Sequence, residues 1–485
     1  MTRNPYRSPM PRYARLWTIG LVLAAVVALA VGAIVTVVMT KRLMSDDTAP
    51  TFHRGEWQPP EQTVLESSMR ARPVPGWRTS VEDLGLPETN VFGRTDEPHV
   101  WSTPFIGAVG AKGYFLARSP GSPDAERWLV GLDVHTGKQL FAPVRIDAGP
   151  DFLDCFVNGP DSVLCISDAV REGNLESVAW AIDARTGSVL FNGPTKLHAN
   201  SSNGPDVEQV GTYAVARAPG EGIYGIGPRT ETTWFVPGVT IGTTKWTSDA
   251  APPSLAAARD SVKGSDRMTV FSLIDGKVIT PDLGKGLRPL TAVVYPGGFA
   301  FEATSDMKVS IPDVVIFFDD DGNHVGETKL SGFLSTLSKI LPILESPDST
   351  VFGANGAGLL QFPDQQLGQN ARLIGHRLYA PESTWEGPVK VRRWRQFDLT
   401  TGQEGNACRP NMSGYVANDG RVGVFETVRY EITGATTFAM DLASCEKLWT
   451  TPVDPDSFHE LWRIDNALVE LSDDGKELHS LVAPA

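Results

Sequence analysis

Two acidic runs carry the oxygen-rich side chains that bind hard cations. One is Asp319-Asp320-Asp321-Gly322-Asn323 and the other Asp473-Asp474-Gly475. Neither has the spacing of an EF-hand loop, and both lie where a tight turn is needed, so turn chemistry alone accounts for them. The eight histidines are His53, His99, His135, His198, His324, His376, His459 and His479. None falls in a His-Glu-x-x-His or His-x-His spacing, so they do not spell a zinc site. There is no Gly-x-Ser-x-Gly elbow and no phosphate loop. Gly225-x-Gly227 lacks the strand-to-helix setting that a nucleotide needs. No catalytic, metal-binding or cofactor-binding residue is assigned, and no cofactor is expected.

The cysteines are the remaining reactive groups. Cys155 and Cys165 flank Asn158-Gly159-Pro160-Asp161 in DCFVNGPDSVLCI. Folding a hairpin about Pro160 sets Val157 against Val163, Phe156 against Leu164 and Cys155 against Cys165, within disulfide reach. Cys408 then pairs with Cys445 by elimination. Other pairings, or four buried thiols, are the alternatives. The oxidising compartment expected on the outer side of the membrane permits such disulfides.

The chain has 485 residues and a formal net charge of −14. Its first 42 residues hold six basic and no acidic side chains, which leaves 37 basic and 57 acidic residues beyond them, a net −20. Nucleic acid rewards a basic footprint, so no nucleic-acid partner is expected. Residues 16–40, LWTIGLVLAAVVALAVGAIVTVVMT, carry no charge. About 20 apolar residues in a helix cross a bilayer core of about 30 Å. Arg3, Arg7, Arg12 and Arg15 keep the preceding end cytoplasmic under the positive-inside rule. The sequence thus predicts a basic cytoplasmic tail (1–15), a single transmembrane helix (16–40) and a stalk (41–75) with five prolines. The domain at 76–485 lies outside the cell membrane in this reading. A cleaved signal peptide ending at Ala28-Leu29-Ala30 is the alternative.

The acidic turns belong to a repeat. Asp-x-x-Thr-Gly between apolar runs occurs in LVGLDVHTGKQLF (129–141), AWAIDARTGSVLF (179–191) and RRWRQFDLTTGQEG (392–405). Weaker copies lie at 222–235, 268–279, 314–327, 437–449 and 468–481. Each reads as a β-hairpin whose Asp accepts backbone N–H groups and whose Gly takes φ > 0. The turn residues so assigned are Asp133, Thr136 and Gly137; Asp183, Thr186 and Gly187; Asp275 and Gly276; Asp321 and Gly322; Asp398, Thr401 and Gly402; and Asp441. Another strand pair precedes each hairpin. That makes about four strands in about 40–50 residues, the size of a propeller blade. The expectation is an all-β, eight-bladed propeller of four-stranded antiparallel blades, with seven as the alternative because 330–372 is hard to parse. The C-terminus supplies only three strands, and GWRTSVEDL (76–84) is predicted to complete the last blade.

Ala181-Ile182-Asp183-Ala184-Arg185-Thr186-Gly187 and Phe397-Asp398-Leu399-Thr400-Thr401-Gly402 carry the repeat most fully, and Ala439-Met440-Asp441-Leu442 carries it in part. This pattern resembles the PQQ-like (quinoprotein) β-propeller repeat, over about 76–482. With its N-terminal apolar segment the whole resembles membrane-anchored propellers of actinobacterial envelopes. That family contains quinone-dependent dehydrogenases and non-catalytic assembly factors. The resemblance implies, for the enzymes, PQQ stacked on a Trp, often under a disulfide of adjacent cysteines, beside Ca²⁺ held by carboxylates and an Asn. This chain has no Cys-Cys pair and no matching ligand set. The expected function is a non-catalytic scaffold or ligand-binding module that takes an envelope protein or an unidentified ligand. A quinoprotein-type dehydrogenase and a sensor working through a membrane partner are the alternatives. Trp449 is expected between blades. Trp385, Trp394 and Trp462 are candidate anchors for a partner. Lys390, Arg392, Arg393 and Arg395 alternate around Val391 and Trp394, as a solvated strand face or a basic docking strip.

Overall fold

Where a strand pair turns on Asp-x-x-Thr-Gly, one carboxylate oxygen closes the turn. Asp183 Oδ1 accepts the N–H groups of Arg185 (2.9 Å) and Thr186 (2.8 Å) and the Thr186 hydroxyl (3.0 Å). Those N–H groups hold the Asp183 carboxyl below its ordinary value, and the Ser444 N–H does the same for Asp441. Gly187 follows at φ 69°, a left-handed conformation that glycine adopts at least cost. Asp133 and Asp398 cap their turns in the same way, the latter through Thr400 and Thr401.

A computed structural model of the protein describes residues 57–93, 103–121, 125–148, 152–171, 174–199, 204–240, 249–252, 254–260, 267–306, 311–329, 332–338, 340–346, 348–363, 367, 371–386, 389–409, 412–426, 436–452 and 459–485. The cytoplasmic tail, the transmembrane helix and the first part of the stalk read from the sequence lie outside them. Among the described residues no helix is long and apolar enough to cross a membrane.

The capped hairpins are the outer halves of nine antiparallel sheets among the described residues. Blade 1 spans 91–146, blade 2 152–195, blade 3 206–237, blade 4 239–279 and blade 5 288–328. Blade 6 spans 333–362, blade 7 372–408, blade 8 415–452 and blade 9 460–482. Within each sheet the strands pair in chain order. The inner edge of blade 1 is shared by Val91–Phe92 and Phe105–Val109. Blade 9 takes its outermost strand from the other end of the domain. Val74–Ser80 runs antiparallel to Glu477–Val482, with Val74 opposite Val482 and Ser80 opposite Glu477. This closure is the one the sequence predicts for 76–84.

Nine blades replace the eight, or alternatively seven, expected from the repeats. The missed hairpin joins Ser349–Phe352 to Gly358–Phe362 through Gly353-Ala354-Asn355-Gly356. Glycine opens this turn in place of Asp, so the pattern breaks. A Cβ at 353 would lie 2.9 Å from Trp57, which packs against the turn and leaves no room for an aspartate. Two other turns open before the assigned residue, by three positions in blade 4 and two in blade 5. Ser272, not Asp275, opens the blade 4 turn, its hydroxyl accepting the Ile274 N–H at 3.2 Å. Asp319, not Asp321, opens the blade 5 turn, accepting the N–H groups of Asp321 (3.0 Å) and Asn323 (2.8 Å).

Strands point alternate residues to opposite faces, and each blade has a neighbour on both. The strand Val314–Phe318, VVIFF, is accordingly buried at every position. The described core falls into nine clusters, one at each seam between consecutive blades. The ring closes where Phe115 and Val130 of blade 1 pack on Ile464, Val469 and Leu478 of blade 9. Polar contacts repeat at the seams. Trp77 Nε1 donates to the carbonyl of Val134 (2.7 Å), the Tyr114 hydroxyl to Ala184 (2.8 Å) and the Tyr379 hydroxyl to Leu442 (2.7 Å). Each acceptor is the second residue of the next blade's outer turn. Burial pushes the Tyr114 phenol up to about 12 and raises that of Tyr379 as well.

The turn glycines seat the ring. A Cβ on Gly187 would lie 2.5 Å from Phe141, on Gly137 2.6 Å from Trp77, on Gly276 2.7 Å from Trp234 and on Gly356 2.6 Å from Phe317. The aromatic always comes from the preceding blade. In blade 8 Cys445 stands at the glycine position with φ 62° and is bonded to Cys408 on the outer strand of blade 7. A covalent link there takes the place of the glycine–aromatic contact. Cys155 and Cys165 face each other across the first strand pair of blade 2 and form the second disulfide. These are the two pairings read from the sequence.

Gly187→Ala and Gly85→Ala separate packing from backbone strain. Both glycines have positive φ, 69° and 79°, but nothing lies within 4 Å of a Cβ on Gly85. Each substitution carries a left-handed backbone cost of about 1–2 kcal/mol. Only Gly187→Ala also drives a methyl into Phe141. Denaturation midpoints should place it about 1–3 kcal/mol below Gly85→Ala; equal midpoints would show that this seam yields.

Candidate functional site

Part of the stalk read from the sequence is laid across the ring. Trp57, 7% exposed, completes the core between blades 6 and 7. Gln62 exchanges two hydrogen bonds with the backbone of Gly375, at the tip of the first hairpin of blade 7 (2.7 and 3.1 Å). The Leu65 N–H donates to Asn418 in blade 8 (2.7 Å) and the Glu66 N–H to Asn466 in blade 9 (2.9 Å). Met69 donates its N–H to Asp419 Oδ2 (2.7 Å) and accepts from Trp449 Nε1 (2.9 Å). Residues 57–73 are therefore a strap that visits blades 6 to 9 before entering blade 9 as its outer strand.

The strap meets a second segment. Gln62 forms an antiparallel bridge with Ala250, and the Thr63 N–H donates to the Asp249 carbonyl at 2.9 Å. Asp249 and Ala250 belong to the long connection between Val239–Thr240 and Leu255–Asp260 of blade 4. In a ring of nine, blade 4 stands opposite blade 8, so contact between them crosses the axis. The Asp249 carboxylate accepts from the Tyr415 hydroxyl and from Asn418 Nδ2 (3.1 Å), both of blade 8, and lies 3.5 Å from Arg463 Nε of blade 9. The Arg372 guanidinium of blade 7 sits 4.7 Å over the Tyr415 ring.

Asp249 and Asn418 are 4% and 1% exposed. Burial raises the Asp249 carboxyl above its ordinary value, against the pull of Tyr415, Arg463, Arg372 and Asn418. Burial also raises the Tyr415 phenol and lowers the Arg372 guanidinium. The arrangement is a latch that pins the blade 4 loop and the strap to three blades on the far side.

Beside the latch opens a cleft of about 610 Å³. Trp57 and Glu61 of the strap, Ala250 and Pro252 of the blade 4 loop, Asp320 of blade 5 and Asn355 of blade 6 line it.

Residues 49–484 match the family described as a conjugation-associated 9-bladed β-propeller domain. The chain belongs to this family. Its nine blades agree with the nine sheets, where the PQQ-like repeat pattern suggested eight. An uncharacterized protein of Mycolicibacterium smegmatis (strain MKD8) is 57% identical over 463 residues, 95% of each chain. Among solved structures, BamB from Moraxella catarrhalis shares 12% identity, covering 85% of this chain and 100% of its own, with a TM-score of 0.33. The quinohemoprotein alcohol dehydrogenase of Comamonas testosteroni shares 10% identity, covering 87% of this chain and 78% of its own, with a TM-score of 0.28.

Most residues singled out in the sequence serve this conjugation-associated propeller as seams and turns. Trp394 is buried at the seam of blades 7 and 8. Trp462 packs on Phe105 and Phe115 at the closing seam, 5.6 and 5.8 Å between ring centres. Trp449 lies between blades 8 and 9 under the strap. Of the basic strip, Arg395 is ion-paired with Glu382 (2.6 Å) and with Glu404. The side chains of Trp385, Lys390 and Arg392, and all of His53 and His99, lie outside the described residues. His135 lies 3.1 Å from Asp465, His376 3.4 Å from Asp398, His324 4.0 Å from Glu327 and His198 2.7 Å from Ser177. His459 and His479 are buried and both face Glu470, at 3.4 and 2.5 Å. Asp474 accepts from the Ser472 hydroxyl (2.7 Å) within its own turn. Among the described residues no group of three or more His, Cys, Asp or Glu is arranged to hold a metal ion.

Asp249→Ala removes the acceptor of a buried cluster and should destabilise the fold by about 2–4 kcal/mol. Asp249→Asn tests the charge. The folded-state carboxyl titrates above its unfolded value, so the folded form holds the proton more tightly. The stability linked to it is present at low pH and declines as pH rises through the window above the ordinary value. The margin of wild type over Asp249→Asn in urea midpoints should therefore shrink from about pH 4 upward. A margin that grows would show that the two arginines outweigh burial.

Proposed function

We propose that the protein is a non-catalytic interaction scaffold of a conjugation-associated assembly at the cell envelope. Residues 16–40 hold it at the membrane, with the propeller on the extracytoplasmic side. One observation carries the reading: a ring of a conjugation-associated family whose axis is crossed by its own chain. A ring latched in this way presents fixed faces and a rim to partners, and a propeller by itself implies no chemistry. The uncharged length of 16–40 supports the anchor. Two disulfides, one within a blade and one between blades, support an oxidising compartment. The net −20 beyond residue 42 supports a protein partner over the transferred DNA itself. A DNA strand threaded through the ring would also have to displace the strap and the Asp249 loop.

Deleting the gene in donor cells, and separately in recipients, and counting transconjugants tests the role. Transfer should fall by an order of magnitude or more in one of the two and return with the wild-type gene. Unchanged transfer in both would overturn the conjugation role. A reporter joined after Ala485 that is active only in the cytoplasm would overturn the orientation.

A further inference from the structure

We infer that the cleft beside the axis receives a basic peptide segment of a partner protein, flanked by apolar side chains. The inference deepens the scaffold reading and rests on it, but not on the conjugation context.

The cleft has the size of sites that hold a ligand, which run to about 300–1,000 Å³, and at about 610 Å³ it admits two or three side chains. Its walls are pre-set. Pro60 and Trp57 belong to the strap, which Gln62 pins to Gly375, and Pro252 follows the latched Asp249. A preformed site costs less ordering on binding.

Among the described residues the charge in the cleft is of one sign: Glu61 and Asp320 line it, and no described Lys, Arg or His does. Asp320 is also surplus to its turn. Asp319 makes the capping bonds, and Gly322 takes the positive φ. In five of the turns, those of blades 1, 2, 4, 7 and 8, the residue after the capping position is apolar and at most 4% exposed: Val134, Ala184, Leu273, Leu399 and Leu442. The four-residue turn of blade 5 frees that position, and the chain places a carboxylate there, at the mouth of a cavity. Partial burial, then the neighbouring charges of Asp319 and Asp321, raise the Asp320 carboxyl above its ordinary value.

These features select the occupant. An anionic segment is repelled. A neutral one leaves two carboxylates uncompensated. A bare metal ion leaves the Trp and Pro walls uncovered. An arginine meets a carboxylate with two parallel N–H groups and lays an apolar stem along such walls.

Calorimetric titration of the full-length protein in detergent with end-blocked hexapeptides provides the test. The probes are one sequence of two arginines, two leucines and two prolines, and versions with Gln or Glu in place of Arg. The Arg peptide should bind saturably, the Gln peptide at least five-fold more weakly and the Glu peptide not at all. Glu61→Gln combined with Asp320→Asn should weaken the Arg peptide about five-fold or more, the sum of two partly exposed ion pairs. Glu88→Gln combined with Glu446→Gln, at exposed sites that do not line the cleft, should leave it unchanged. A benzophenone carried on the Arg peptide should crosslink within 57–61 or 250–254. Absence of saturable binding, equal binding of the Arg and Gln peptides, or equal weakening by the two double variants would overturn the inference. The scaffold role would then stand or fall on the mating assay.

Discussion

Neither face of a blade in this protein is complete without a neighbour, and that constraint organises the rest. Each seam carries an apolar cluster; four add a turn glycine under an aromatic from the blade before, and several an aromatic N–H or O–H donated to the next turn. A linear array of such blades would leave one apolar face bare at each end. Only a ring removes both, and only if the last seam is as good as the others. Blade 9 achieves this by drawing Val74–Ser80 from the start of the propeller, so that the first and last strands of the ring share one sheet. The same strand carries Trp77, whose indole binds Val134 of blade 1. One segment thus closes both the sheet and the seam.

Nine blades also create a problem at the axis, because the innermost strands retract from it as blades are added. The protein fills that space with itself. The strap comes from the N-terminal side and the blade 4 connection from within the ring, and the two meet at Gln62, Thr63, Asp249 and Ala250. A buried carboxylate is a poor source of net stability, since desolvation offsets most of what its partners return. Its value here is selectivity. Asp249 is satisfied by Tyr415, Asn418 and Arg463 of the adjacent blades 8 and 9, which blade 4 reaches from across the ring. An apolar residue at 249 would accept many placements of the loop.

How much of this was legible in the chain depended on whether the signal was local. The Asp-x-x-Thr-Gly turns announce themselves because cap and glycine lie within five residues of each other. The Cys155–Cys165 pair is legible for the same reason, as one hairpin fixes both positions. The outer strand of blade 9 was legible through a shortage, three strands at the C-terminus where four were needed. Gly353 was not, because its identity answers to Trp57, some three hundred residues away and outside any repeat. Ser272 carries no such signal, because a hydroxyl does the work of a carboxylate there and an Asp stands three residues on. The latch left no trace at all. Asp249, Tyr415, Asn418 and Arg463 belong to no motif, and their meeting is a product of the ring closing.

Cys445 shows how the seam requirement overrides the repeat. Its position demands a left-handed backbone, which glycine supplies at least cost, and the chain places a cysteine there instead. The reason lies in the preceding blade. In blades 1, 2, 4 and 6 an aromatic covers the turn glycine, but here Cys408 reaches the turn from the outer strand of blade 7 and the contact becomes covalent. Gln396 donates to the Leu442 carbonyl (2.9 Å), the acceptor that the Tyr379 hydroxyl also uses, so the hydrogen-bonding half of the seam is kept. The seams are thus interchangeable in means but not in end: each must hold the turn of one blade against its predecessor. Asp320, by contrast, is a side chain that neither its turn's capping bonds nor an apolar cluster employs, and it lines the cleft.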